Sequence, residues 1–162
     1  MKPETISGEI MSAQIAKAFE AALAADVYAV LHLNRELDGI RAERSIYVRQ
    51  IVGFMERLAK RCRGKTKYRR LPHLHRFLPN AVTIEKMADG PHFNVLIQKP
   101  SHWSFDDFYG LLVTEWLRSP WAATDNRAIY IARPESPSKL MAYIHKEGDE
   151  SLVVETLRFS AR

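Results

Sequence analysis

With 162 residues, 46% of them apolar and 27% charged, the chain has the size and balance of one globular domain with a proper core, which excludes a disordered or fibrous protein. No apolar run approaches the roughly 18 residues of a membrane span, Met1 to Glu9 is polar and acidic rather than signal-like, and the single cysteine, Cys62, excludes a disulfide framework or a cysteine zinc site. A cytoplasmic, non-membrane protein is the expectation. The net charge of +5 is unevenly spread, since nine of the 24 Lys and Arg residues fall between Arg57 and Arg76, a stretch with no acid.

In chain order, residues 7–25 are Ala-rich with Ile10, Ile15, Phe19 and Leu23 near helical spacing, which predicts an amphipathic helix added to the domain. Val27 to Leu33 reads as a strand from its β-branched and aromatic content. Glu43 to Arg61 carries Ile46, Tyr47, Ile51, Phe54, Met55 and Leu58 at helical spacing and stops near Gly64. A strand around Ala81 to Glu85 and another from His92 to Gln98 flank an Asp89-Gly90 hairpin signal. Ser104, with Asp107 three residues on, is a capping box for a helix presenting Phe105, Phe108, Leu112, Trp116 and Leu117. Ala128 to Ala132 predicts a strand, Pro137 opens a helix running through Tyr143 to Gly148, and Leu152 to Phe159 predicts a last strand. The order is that of an α+β domain: a ferredoxin-like antiparallel sheet of about five strands, with helices on one face and the other left for ligands.

Three groups of residues carry chemistry. On their strand, His92 and Asn94 project to one side while Phe93 and Val95 project to the core, and Glu85 can reach the same side from the preceding strand. An imidazole, an amide carbonyl and a carboxylate make a mostly oxygen site suited to Mg²⁺ or Mn²⁺; the alternative is a set of hydrogen-bonded structural side chains. Lys146 lies one helical turn beyond Tyr143, where its charge can ease loss of the phenol proton or neutralise a pentavalent phosphate, and Glu147, four residues after Tyr143, can approach the metal; the alternative for Tyr143 is edge packing. Lys60, Arg61, Arg63, Lys65, Lys67, Arg69, Arg70 and Arg76, with Tyr68, His73 and His75 interleaved, suit a phosphate backbone, the alternative being a solvated helix end and loop.

Pro91-His92-Phe93-Asn94-Val95-Leu96-Ile97-Gln98 and Tyr143-Ile144-His145-Lys146-Glu147-Gly148-Asp149 together resemble the second and third motifs of the HUH single-strand endonucleases, specifically the Rep-type rolling-circle initiators. The resemblance spans most of the chain, with Val30 to Asn34 as the least defined first motif. It implies a divalent ion held by His92, Asn94, Glu85 and Glu147, with Tyr143 as nucleophile and Lys146 beside it. The substrate would be single-stranded or hairpin DNA, nicked and rejoined through a phosphotyrosine. Because no Gly-x-x-x-x-Gly-Lys-Ser/Thr segment occurs, a host helicase would separate the strands. Asn94 departs from the family pattern in replacing an imidazole, which should weaken metal binding. Pro72-His73-Leu74-His75 is a literal His-apolar-His, but Arg76 follows it and no acid precedes it at the right distance, so it belongs with the basic segment. The alternative function is a non-catalytic DNA-binding protein retaining the Rep fold with a degenerate metal site. A ferredoxin-like RNA-binding module lacks its Lys/Arg-Gly-aromatic signature here. His32, His102 and His145 have no assignment from the sequence.

Overall fold

The computed structural model describes residues 24–125, 128–136 and 148–158, with the single positions 16, 20, 139, 140, 142 and 146. The elements are β1 (Val27–His32), β2 (Glu36–Leu37), β3 (Ile40–Arg41), α1 (Arg44–Arg63), α2 (Lys65–Arg70), α3 (His73–Arg76), β4 (Asn80–Glu85), β5 (His92–Ile97), α4 (Phe105–Trp116) and β6 (Ile129–Ala132), followed by a 3-10 turn at Asp149–Ser151. Strands β4, β5, β1 and β6, in that spatial order, form an antiparallel sheet. The class is α+β. No described helix is long and apolar enough to cross a membrane.

Alternation sorts the sheet into two faces. Val27, Ala29 and Leu31 of β1, Phe93, Val95 and Ile97 of β5, and Val82 and Ile84 of β4 join the main core with α1 and α4. Helix α1 contributes Tyr47, Ile51, Phe54, Met55 and Leu58, a 3.6-residue stripe, and ends at Gly64, whose N–H still closes on the Lys60 carbonyl and whose φ of 81° turns the chain out of the helix. Helix α4 is capped as its sequence predicts, the Ser104 hydroxyl accepting from the Asp107 N–H at 3.1 Å. Trp116, fully buried, meets Phe54 of α1 and Phe93 of β5 edge-on, with ring centroids 5.6 and 6.0 Å away. Leu117, expected on the same side, is 48% exposed: it continues the helical turn, and at 100° per residue it falls on the opposite side from Phe108 and Leu112.

Three features differ from the sequence expectations. A small hairpin, β2–β3, turns on Asp38 and Gly39 with φ of 51° and 77°; its Leu-Asp-Gly-Ile sequence is the signal for that left-handed two-residue turn. The β4–β5 connection reverses at Lys86 (φ 53°), whose carbonyl accepts from the N–H groups of both Asp89 and Gly90, so the glycine is not the pivot. The strand expected over Leu152 to Phe159 is reduced, among the described residues, to two bridges against β4, Thr83 to Leu152 and Asn80 to Arg158. Between them the chain turns out and back, and the Asn80 amide donates to the Thr156 carbonyl at 2.6 Å. That segment covers β4, an edge strand whose residues are nonetheless all buried, and so protects an otherwise open edge. The expected helices at 7–25 and 137–148 fall largely outside the described residues.

Cys62 lies on the buried side of α1, and burial pushes its thiol from 9.0 up to about 11. A raised folded value favours the neutral thiol. The associated stability is therefore complete below pH 9 and lost as pH climbs from 9 toward 11. In an Ellman titration of the native protein at pH 7.5, Cys62 should stay unreactive until denaturant is added; prompt reaction would mean that α1 opens locally.

Candidate metal and nucleic-acid site

The second sheet face, expected to be left for ligands, is largely covered instead: Ala81 and Leu96 pack with Ala25, Leu152 and Leu157 in a second apolar cluster, and the polar groups lie beside it. Antiparallel register puts Glu85 of β4, His92 of β5 and His32 of β1 on one rung, each paired with its neighbour. Equal parity along three strands makes all three side chains leave the sheet on the same side, away from the main core. Glu85 is only 2% exposed, and its Oε2 lies 3.2 Å from His92 Nε2. The other ring nitrogen, Nδ1, is 2.9 Å from the Gly90 carbonyl, which can only accept, so Nδ1 carries the proton. Nε2 then faces a carboxylate oxygen, two acceptors in contact, and a proton or a cation must lie between them. Two ligands of one ion at about 2.1 Å sit about 3.0 to 3.4 Å apart in octahedral or tetrahedral geometry, so the pair is spaced as ligands are. The second carboxylate oxygen, Oε1, is buried with no partner among the described residues.

Lys146 reaches this carboxylate from the C-terminal segment, Nζ standing 3.7 Å from Oε2. Tertiary structure thus joins two motifs that lie far apart in the chain. Tyr143 and Glu147 lie outside the described residues. Asn94 is two residues from His92 on the same face, but it is 2% exposed and its amide is committed elsewhere. Its Oδ1 accepts from the Tyr28 hydroxyl at 3.1 Å, and its Nδ2 donates to Thr83 Oγ1 at 3.3 Å. Among the described residues no three His, Cys, Asp or Glu side chains converge as they stand.

A cleft of about 490 Å³ opens at the same end of the sheet, where Lys86 to His92 faces Asn34, Arg35 and Asp125. Both His32 and His92 line it, their ring centroids 5.2 Å apart; Asn94 does not. His32 is the member of this group that has no assignment from the sequence. Its signal is the parity of Tyr28, Val30 and His32 on β1, usable only once β1 is known to lie beside β5.

The basic segment folds as the end of α1, then α2 and α3. Lys65, Lys67, Arg69 and Arg70 are exposed on α2. The other cations are partly committed. Lys60 and Arg76 both stand over the Tyr68 ring, at 5.3 and 5.5 Å, and Lys60 also pairs with Glu56. Burial first, then Glu56, raise the Tyr68 phenol above its ordinary range, with those two cations opposing. Arg63 donates to the Arg76 carbonyl, and Arg76 to the carbonyls of Leu71 and Arg69, which ties the loop together. Arg61 lies 3.8 Å from Glu115. His73 and His75 are exposed on α3. The segment leads into the start of β4, whereas Glu85 ends that strand, about 17 Å away at the rise of an extended chain.

Glu115, buried at 2% exposure, marks a contrasting site on the helical side. Its carboxylate lies within 3.4 Å of Arg57 and Arg118 as well as near Arg61, and the Arg57 guanidinium also donates to its carbonyl. Burial lowers the Arg57 guanidinium below its ordinary value, with Glu115 acting in the opposite direction.

Compared with known proteins, the chain matches no family model, no curated protein and no solved structure.

Proposed function

We propose that the chain is a Rep-type, metal-dependent single-strand DNA nickase of the HUH kind, built on a ferredoxin-like sheet whose second face carries the chemistry at the end where the cleft opens. The observation that carries this reading is the Glu85–His92 pair, with its tethered imidazole, its unpartnered buried Oε1, and Lys146 of the Tyr-x-x-Lys motif on the same carboxylate. The donor set fits a hard divalent ion, Mg²⁺ or Mn²⁺, which commonly takes one or two protein ligands and completes its shell with water and phosphate oxygens. Bound there by Glu85 and His92, such an ion would supply charge neutralisation at a scissile phosphate. Asn94, with its amide committed to Tyr28 and Thr83, would hold the face in shape.

The protein's own groups divide the remaining chemistry. The Tyr143 oxygen attacks phosphorus in line, the bond from phosphorus to the 3′-oxygen breaks, and a 5′-phosphotyrosine and a free 3′-hydroxyl result. Exchange of one phosphoester for another conserves the bond for rejoining. Lys146 neutralises charge on the phosphoryl oxygens. The cleft beside His92, with Arg35 and Lys86 at its edge, takes the strand next to the scissile phosphate. The exposed cations of α2 hold it further along.

A covalent-adduct gel tests the proposal. Protein, Mn²⁺ and single-stranded oligonucleotides tiled from the gene's own surroundings should give a denaturation-resistant shifted band, absent with Tyr143→Phe. No band on any strand that the protein demonstrably binds would overturn the nicking reading. Three observations favour the binding-only alternative: the Lys146 ammonium already offsets the Glu85 charge without a metal, the Asn94 amide is committed to Tyr28 and Thr83, and no three His, Cys, Asp or Glu side chains converge among the described residues.

Neutralising Lys65, Lys67, Arg69 and Arg70 to Gln should weaken single-strand binding uniformly across sequences. The slope of log K against log salt should fall by about 0.7 for each phosphate that the variant no longer neutralises. Fluorescence anisotropy at four salt concentrations checks this, and an unchanged slope would remove α2 from the interface.

A further inference from the structure

The basic segment leads to a second cleft, of about 510 Å³, at the end of the sheet opposite Glu85 and His92. Its volume is in the usual range of a small-molecule site. On the last rung Ile97 of β5 pairs Val27 on one side and Asn80 on the other, and just beyond it Gln98 stands between Asp26 and Pro79. The backbone there is fixed. The Gln98 N–H donates to the Pro79 carbonyl at 2.9 Å, and the Asp26 N–H to the Ile97 carbonyl at 3.2 Å. Lys99 pins the turn beside it, its ammonium donating to the Trp103 carbonyl at 2.7 Å and its own N–H to Asp26 Oδ1 at 2.7 Å. The side chains that line the cleft are less committed. Gln98 is half-buried, and no hydrogen bond engages its amide among the described residues. Arg63 uses only its Nε, on the Arg76 carbonyl at 3.1 Å, which leaves both terminal amino groups.

These groups divide as the parts of a nucleotide do. Pro79 and Pro100, both half-buried, offer apolar surface to a base face, and Gln98 offers a donor and an acceptor to a base edge. The Arg63 guanidinium, which belongs to the basic segment, offers a fork to a phosphate. Asp26 opposes a phosphate inside the cleft and can only accept, so it favours a base with an amino group over thymine, whose single N–H lies between two carbonyls. We propose that this cleft seats one unpaired, amino-bearing base of the bound single strand, with the strand's phosphate on Arg63. The inference rests on the strand-binding part of the reading above and needs neither the metal nor the nicking step.

The experiment is photo-crosslinking of the full chain to a single-stranded oligonucleotide in which 5-iododeoxycytidine replaces each cytosine, in EDTA so that no strand is cut. The cross-link forms from the base itself, so a phosphate contact leaves none. The expected result is an adduct that mass spectrometry maps to residues 98–103. Gln98→Ala should lower affinity for a cytosine-rich strand about fivefold by fluorescence anisotropy. Its salt slope should not change, because no phosphate contact is removed. The Gln98 amide holds nothing else in place, so the variant should fold as the natural protein does. Adducts confined to Tyr68, His73 or His75, on a strand that anisotropy shows to be bound, would overturn the inference and leave strand binding in place. Displacement of the strand by an equal concentration of free dCMP would also overturn it, making the cleft a site for a loose nucleotide. Absence of strand binding even at low salt would remove both readings.

Discussion

Glu85→Gln should leave the fold intact and hold or raise the melting temperature, while weakening Mn²⁺ binding by at least about 100-fold and eliminating nicking. The stability side follows from what surrounds the carboxylate. Glu85 is almost fully buried, with one oxygen unpartnered and the other facing an imidazole and a lysine. Holding a charge there is costly, and an isosteric amide removes that cost. Breaking a buried pair ordinarily destabilises because it strands the other charge. Here little is stranded, since the Lys146 side chain is 41% exposed and can turn to water. The expected change in the metal-free protein is therefore between zero and a gain of about 1 kcal/mol. Thermal melts with and without Mn²⁺ separate the parts: natural protein stabilised by the ion, variant indifferent to it. A metal-free variant that melts well below the natural protein would make Glu85 a structural residue and the site reading would go with it.

Glu115→Ala should do the reverse, costing about 3 kcal/mol of stability without touching metal binding. The carboxylate is as buried as Glu85 but lies among three guanidiniums. Its removal strands chiefly Arg57, whose side chain is 29% exposed; Arg61 and Arg118, 66% and 63% exposed, return to solvent, which keeps the loss at the low end of the usual range. For a chain of this length that corresponds to a fall of roughly 6–12 °C in the melting temperature. Circular dichroism melts check it. A shift under 2 °C would show that the arginines stabilise the α1–α4 contact by packing alone. The two acids share a residue type and a degree of burial, and their partners distinguish them.

Much of the frame is legible in the residues. Apolar spacing locates α1, Ser104 with Asp107 locates the start of α4, and alternation in Val27 to His32 and His92 to Ile97 locates β1 and β5 with their inner faces. Those are local properties, set by periods of 3.6 and 2 and by one capping hydroxyl. The Asp38-Gly39 turn is equally local, although it does not figure among the sequence expectations. Leu152 to Phe159 cannot be read this way. Leu152, Val153 and Leu157 are buried because the segment lies across β4, while Val154 is exposed, and it makes bridges at Leu152 and Arg158 without running as a strand between them.

The candidate site divides along the same line. Sequence alone determined that Glu85, His92 and Asn94 leave their strands on one side and that positive charge gathers between Arg57 and Arg76, because side-chain direction follows from parity and charge from composition. Strand order and register decided the rest. They set His32 beside His92, turned Asn94 into a partner for Tyr28 and Thr83, brought Lys146 to Glu85, and put the exposed cations of α2 at the far end of β4. No local pattern contains such facts, since each depends on which distant segments the buried face draws together, and that choice belongs to the packing of the whole sheet.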